Sequence, residues 1–242
     1  MSDLNAKKIL CIGGSTLNPD TLKYLREALI KTKFLEEWAI IFVNHLYFKT
    51  QIVEICKEKI RDDFEGLDIV FVYEKSKCPY TVEKGKIYII PDSMSNLNQW
   101  IDVKFRCQEG IPILDVCPYD ADIDNQTFGI HWLTTLDAAG KQRNYQPCID
   151  KMMIEVAKYK LSKIAGIVLC GLDGDGAYGL QEIARCGGKI AVQDPTECFH
   201  PKKKDTTSSM PNTCLLTTPN CRQISLESVG SISKWLIDLL AN

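Results

Sequence analysis

Lys8-Ile9-Leu10-Cys11-Ile12-Gly13-Gly14-Ser15-Thr16 decides the fold class of this chain. Residues 8–12 form an apolar run of strand length that stops at two glycines. Asn18-Pro19 follows, a side chain suited to cap a helix and a proline suited to its first turn. Leu22, Leu25, Leu29 and Ile30 then recur at helical spacing and predict one buried face. Strand, glycine turn and helix together make the opening unit of a parallel α/β sheet.

The unit repeats outward from there. Residues 39–43 read as a second strand, Ile52, Ile55, Cys56 and Ile60 as the stripe of another helix, and residues 69–73 as a third strand. Residues 87–90 read as a strand stopped by Pro91, while Ile101, Val103, Phe105 and Cys107 alternate with polar neighbours as a half-exposed antiparallel strand would. Elsewhere between 93 and 145 the rhythm is faint. It returns with a helix over 149–160, a buried strand over 165–170, a helix over 177–186, a strand over 189–192 and a terminal helix turning Ile232, Leu236 and Leu239 inward. The expectation is a doubly wound α/β fold: a mostly parallel sheet with helices on both faces and an antiparallel excursion in the middle. Residues 1–242 form one domain, because no linker or low-complexity stretch divides them. Such folds carry their chemistry in loops beyond the carboxyl ends of the strands.

Composition narrows the function. The 242 residues are 45% hydrophobic and 25% charged, the balance of a globular protein. With 29 Lys plus Arg against 31 Asp plus Glu, the net charge of −2 offers no broad attraction to phosphate backbones, so nucleic acid is not an expected partner. Residues 1–8 are polar and lack the apolar core of a signal peptide, which predicts a cytoplasmic protein. The most apolar stretches, 39–43 and 164–172, fall far short of the roughly 20 residues of a membrane span, so the chain is not expected to be membrane-embedded. Eleven cysteines, an odd number without a CxxC pair, are read as reduced thiols, several of them packed as small hydrophobes at Cys11, Cys56 and Cys170.

Three loops at predicted strand ends hold the chemically suggestive residues: Gly13-Gly14-Ser15-Thr16, Asn44-His45, and Gly171-Leu172-Asp173-Gly174-Asp175-Gly176. A serine hydroxyl becomes a useful nucleophile when an imidazole takes its proton and a carboxylate orients that imidazole. Neighbouring parallel strands lie about 4.8 Å apart, so such groups meet despite their distance in sequence. Each residue also has a plainer reading. Ser15 suits a helix entry or an anion-holding turn, His45 a packing role, and the glycine-rich loop a tight turn onto the next helix. The same loop could point amides into an oxyanion hole. The nucleotide patterns GxGxxG and GxxxxGK[ST] are absent, and Leu17 stands where a GxSxG elbow needs glycine. Calcium loops fail too: from Asp173 the sixth and twelfth positions are Tyr178 and Ala184, and from Asp120 they are Asn125 and His131. His131 and His200 read as surface or packing histidines.

Taken in order, Ile12-Gly13-Gly14-Ser15-Thr16, Val43-Asn44-His45 and the run from Gly166 to Leu180 resemble the catalytic domain of the CheB chemotaxis protein-glutamate methylesterases. Secondary matches follow at 85–91, Pro147-Cys148-Ile149-Asp150, 190–194 and Ser209-Met210-Pro211. The resemblance covers nearly the whole chain. It implies a cytoplasmic serine esterase that removes methyl groups from glutamyl esters on chemoreceptors, releases methanol, and deamidates certain receptor glutamines. It further implies Ser15 as nucleophile, His45 as general base and acid, Asp175 as the orienting carboxylate, the amides of Thr16 and Leu172 as oxyanion donors, and Met210 and Pro211 along the cleft. Asp173 lies outside that triad, and no metal or organic cofactor is implied. The chain departs from the family at Leu17-Asn18, at Leu46-Tyr47-Phe48, between Pro91 and Pro147, and in 195–214 with its Lys202-Lys203-Lys204 run, read as a solvated loop. Full-length members carry an N-terminal receiver domain, and with the first strand beginning at Lys8 none is expected in this chain. Two alternatives stand beside the methylesterase: a binding or scaffold module that keeps the fold without turnover, and a serine hydrolase for another ester.

Overall fold

The computed structural model describes residues 4–15, 19–44, 58, 60–73, 75–91, 101–118, 134–136, 142–144, 148–159, 161–171, 174–198 and 209–241. Its strands in chain order are β1 (Lys8–Gly14), β2 (Ala39–Asn44), β3 (Asp68–Phe71), β4 (Tyr80–Thr81), β5 (Lys86–Pro91), β6 (Ile101–Gln108), β7 (Ile111–Pro118), β8 (Thr134–Leu136), β9 (Gln142–Asn144), β10 (Lys163–Val168), β11 (Lys189–Gln193) and β12 (Arg222–Ile224). The longer helices are α1 (Pro19–Thr32), α2 (Ile149–Lys158), α3 (Ala177–Arg185), α4 (Met210–Thr217) and α5 (Val229–Ala241). Seven strands form one sheet in the order β12-β11-β10-β1-β2-β5-β3, and every pairing in it is parallel. The doubly wound α/β expectation therefore holds.

Near-continuous apolar runs in β1, β2, β5 and β10 are what a sheet covered on both faces requires. Successive side chains go to opposite sides. Leu10, Ile12, Ile40, Phe42, Ile87, Ile89 and Ile167 pack with α1 and α5 on one face. Ile9, Cys11, Ile41, Val43, Tyr88, Ile90 and Val168 pack with α2, α3 and α4 on the other. In α1, Leu22, Leu25 and Leu29 are buried as predicted, but Ile30 is 48% exposed. A residue one step beyond Leu29 is rotated by about 100° around the helix axis, so Ala28, not Ile30, completes the buried stripe.

The antiparallel excursion is a separate three-stranded sheet in the order β4-β7-β6. β6 pairs with β7 from Ile101↔Pro118 to Gln108↔Ile111. The sheet docks on α2, where the Glu155 carboxylate accepts the Phe105 amide at 2.6 Å and Phe105 meets Tyr159 edge to face. Sequence periodicity located β6 and missed β7, whose Ile113 and Leu114 are adjacent and both buried, so alternation breaks there.

The reading of all cysteines as reduced thiols is overturned at one pair. Cys170 and Cys198 form a disulfide, with Cα atoms 5.3 Å apart. Neither the odd count nor the missing CxxC bears on this bridge, because it joins segments just beyond β10 and β11, which only the sheet makes neighbours. The free thiols of Cys11, Cys148, Cys214 and Cys221 are buried, and burial pushes that of Cys11 up to about 12, so it packs as an inert small hydrophobe. Among the described residues no helix is long and apolar enough to cross a membrane.

The disulfide closes a loop with a sequence separation of 28. On chain-entropy grounds Cys198→Ser is expected to cost roughly 3 kcal/mol of stability. Urea unfolding with and without a dithiol reductant checks this: reductant should lower the wild-type midpoint and leave that of Cys198→Ser unchanged.

Candidate functional site

β1 leads into α1 on one face of the sheet, and its neighbour β10 leads toward α3 on the other. Adjacent strands whose connections diverge in this way open a crevice at their carboxyl ends. Gly13 pairs with Val168 on one side, and Gly14 pairs with Asn44 on the other, so the ends of β10, β1 and β2 lie level. The ladder continues past β1, with the Ser15 amide donating to the Cys170 carbonyl at 3.0 Å and the Leu169 amide to the Gly13 carbonyl at 2.7 Å. Ser15 is thereby held half-buried at the lip of the crevice.

Gly171 leaves little room for a side chain. A Cβ there would lie 2.1 Å from the Met210 sulfur and 3.0 Å from the Ser15 Cβ. Met210 is fully buried beneath this loop, its amide donating to the Gly171 carbonyl at 2.9 Å. Pro211 is buried beside it in the first turn of α4, which Ser209 caps by accepting the Asn212 amide. Met210 thus supports the loop from below, with Pro211 next to it in the chain. The Cys170 amide donates to Gln193 Oε1 at 2.9 Å, Gln193 Nε2 to Glu197 at 3.1 Å, and Glu197 accepts the Leu226 amide at 2.9 Å. With the disulfide, these bonds tie the segment beside Ser15 to β11 and its following turn.

Asp175 is buried against the N-terminus of α2. Its Oδ2 accepts the Ile149 amide at 2.8 Å, its Oδ1 accepts the Asp150 amide at 2.9 Å, and the Cys148 thiol lies 3.5 Å from Oδ1. Cys148 in turn caps α2 by accepting the Lys151 amide. A helix N-terminus presents unpaired amides and a positive partial charge, a setting that favours a carboxylate. Asp150, on α2, accepts the Gly179 amide at 2.6 Å. Burial first, and then the charge of Asp175, push the Asp150 carboxyl well above the usual aspartate range, against the opposing pull of the Gly179, Gly176 and Tyr178 amides. The Cys148 thiol is raised by burial and by both carboxylates. Gly179 permits this approach, since a Cβ there would meet Met153 Cβ at 2.6 Å and Asp150 Cα at 3.2 Å.

Of the site residues singled out in the sequence, Ser15, Asp175, Met210 and Pro211 are described, and Ser15 and Asp175 lie beyond the ends of the neighbouring strands β1 and β10. His45, Thr16, Leu172, Asp173, His131, His200 and the aspartates at 120, 122 and 124 lie outside the described residues. His45 directly follows Asn44, the rung partner of Gly14. Asn44 is itself buried, and neither of its side-chain polar atoms has a hydrogen-bond partner among the described residues. The sequence alone assigns no role to Asp150, Cys148 or Gln193. The available signal was an acid in the first turn of the predicted α2, but cysteine is not among the usual N-cap residues. Among the described residues no group of three or more His, Cys, Asp or Glu side chains could hold a metal.

This is a doubly wound α/β domain with a serine at the lip of its switch-point crevice and a carboxylate buried at the N-terminus of α2. The model of the CheB methylesterase family matches residues 10–231. The chain belongs to that family. It is 29% identical over 86 residues to protein-glutamate methylesterase/protein-glutamine glutaminase 1 of Myxococcus xanthus, covering 36% of this chain and 23% of that protein. A protein of the same description from Caulobacter vibrioides is 24% identical over 149 residues, covering 62% and 33%. Protein-glutamate methylesterase/protein-glutamine glutaminase 2 of Rhodospirillum rubrum is 21% identical over 194 residues, covering 78% and 41%. The matched stretches therefore span well under two thirds of these relatives' lengths. In fold the chain is similar to the Thermotoga maritima CheB methylesterase catalytic domain, with a TM-score of 0.62, 18% identity, and coverage of 96% of this chain and 98% of that one.

Two measurements test the packing at Asp150. Gly179→Ala is expected to destabilise the fold by about 1–3 kcal/mol through overpacking against α2, read as a lower urea midpoint. The second concerns pH. The folded-state value of Asp150 lies above its unfolded one, so the native protein holds the extra proton, and this group's contribution to stability falls as pH rises from the ordinary aspartate range through the folded value. Asp150→Asn has no such proton to lose. The urea midpoint of Asp150→Asn minus that of wild type should therefore rise with pH above about 4; a flat difference across the whole range in which the protein stays folded rejects the assignment.

Proposed function

We propose that the chain is a serine hydrolase of the protein-glutamate methylesterase type, acting on glutamyl methyl esters of a chemoreceptor's cytoplasmic region. Ser15 Oγ attacks the ester carbonyl while His45 takes its proton, and Asp175 orients the imidazole and stabilises its charged form. The amides of Thr16 and Leu172 receive the developing oxyanion. Collapse of the tetrahedral intermediate expels methanol, which leaves with the proton from the imidazolium. Water, deprotonated by the imidazole, then cleaves the glutamyl-serine ester and restores Ser15. With a glutamine side chain the same sequence releases ammonia, a deamidation. The residues require no metal or organic cofactor for these steps.

The observation that carries this reading is the level termination of three adjacent parallel strands, β10, β1 and β2. Their next residues include Ser15, position 45 and the loop bearing Asp175. Family membership and the relatives' names supply the ester and its protein setting.

A serine-reactive fluorophosphonate and a methylated chemoreceptor fragment test it. Wild type should label at Ser15 and release methanol, and Ser15→Ala should lose both, by about a million-fold in turnover. Asp175→Asn should retain the fold and slow turnover by about ten-thousand-fold. Labelling without methanol release reassigns the site to another ester. A folded wild type that neither labels nor releases methanol is a binding module.

A further inference from the structure

We propose that Asp150 is a positioning residue for the Asp175 carboxylate, because the two aspartates cap each other's helices. Asp175, just ahead of α3, takes the Ile149 and Asp150 amides at the start of α2. Asp150, on α2, takes the Gly179 amide in the first turn of α3 at 2.6 Å. The Gly176 and Tyr178 amides also pull the Asp150 carboxyl downward, against its burial. Each carboxyl therefore fixes the helix entry that presents the other.

The arrangement is a closed brace. If the Asp150 side chain is removed, the first turn of α3 loses its acceptor, and Asp175, two residues ahead of Ala177, loses the anchor on its own side. The α2 amides still attract Asp175, but the segment carrying it is no longer held at the distance that lets it turn toward the crevice. Both carboxyls are almost wholly enclosed, Asp150 at 4% and Asp175 at 6% exposure. Water cannot readily take over the lost bonds. Enclosure of two carboxyls is costly, and a plain structural role does not need it, since a serine or asparagine would also offer α3 an acceptor.

This role rests on Asp175 being the triad carboxylate, and the experiment separates the two claims. Asp150→Ala and Asp150→Asn are made in wild type and in Asp175→Ala. Four quantities are measured: the second-order rate of fluorophosphonate labelling, kcat and KM for methanol release from a glutamyl methyl ester peptide, and hydrogen exchange at the Ile149 amide. In wild type, Asp150→Ala should slow labelling by about 100-fold, the scale of a misplaced catalytic group. kcat should fall in parallel, KM should stay within about twofold, and Ile149 exchange should accelerate. Asp150→Asn keeps an acceptor for Gly179 and should recover about tenfold of the loss. In Asp175→Ala, either change should slow labelling by no more than about twofold, because the effect passes through Asp175.

The proposal is overturned if folded Asp150→Ala labels at the wild-type rate, or if its loss multiplies with that of Asp175→Ala. Should Asp150→Ala not fold, the Asp150→Asn pair decides by the same comparison. If wild type does not label at Ser15, or Asp175→Ala labels as fast as wild type, the triad reading itself fails and takes the positioning role with it.

Discussion

Parallel pairing of β1 with a neighbour on each side is the constraint on which this molecule depends. The registers Gly13↔Val168 and Gly14↔Asn44 bring three strands to an end on one level, so segments about 30 and 150 residues apart in the chain emerge side by side. A slip of one residue in either pairing would send every side chain of a strand to the wrong face. Such a slip would pit Ile9 and Cys11 against α1, and Leu10 and Ile12 against α2 and α3. The core therefore specifies the register, and the register specifies the crevice.

The sequence disclosed the elements that this constraint uses. β1, β2, β5 and β10 are short, unbroken apolar runs between turn residues, and α1, α3 and α5 carry stripes at helical spacing, so each announces itself locally. β7 did not, because Pro112, Ile113 and Leu114 are consecutive buried residues, and neither alternation nor a clean apolar run survives there. The bridge between Cys170 and Cys198 was illegible for a different reason. Disulfides depend on Cα separation in space, and 28 residues of chain carry no hint that β10 and β11 end side by side until the sheet is assembled.

At the site, Ser15 and Asp175 were legible as residue types at strand ends, the place where an α/β fold displays polar groups. Their surroundings were not. The contacts that hold Asp175 come from the amides of Ile149 and Asp150, which backbone geometry supplies whatever the side chains are. Gln193 reads in sequence as the polar end of an apolar strand. Only in three dimensions does it become the acceptor for the Cys170 amide, and through the Cys170 carbonyl a support for Ser15. Residues that hold others in place leave a weak trace, because their partner is so often the main chain.

Local rules broken without local gain point to where a fold gives up stability for something else. Most of this core obeys the rules: apolar residues fill both faces of the sheet, and the surface ion pairs, such as Arg222 with Asp238, are exposed and contribute little. The Asp150–Asp175 pair breaks them. Two enclosed carboxyls share one small volume, and burial together with the charge of Asp175 raises Asp150 well above the range where aspartate ordinarily ionises. Helix amides soften this cost for each carboxyl separately, and the raised Asp150 value shows the pair avoiding two charges by keeping a proton. An apolar pair would fill the same space more stably if packing were the whole demand. A polar pair stands there instead, and the positioning role proposed for Asp150 is the account that fits it.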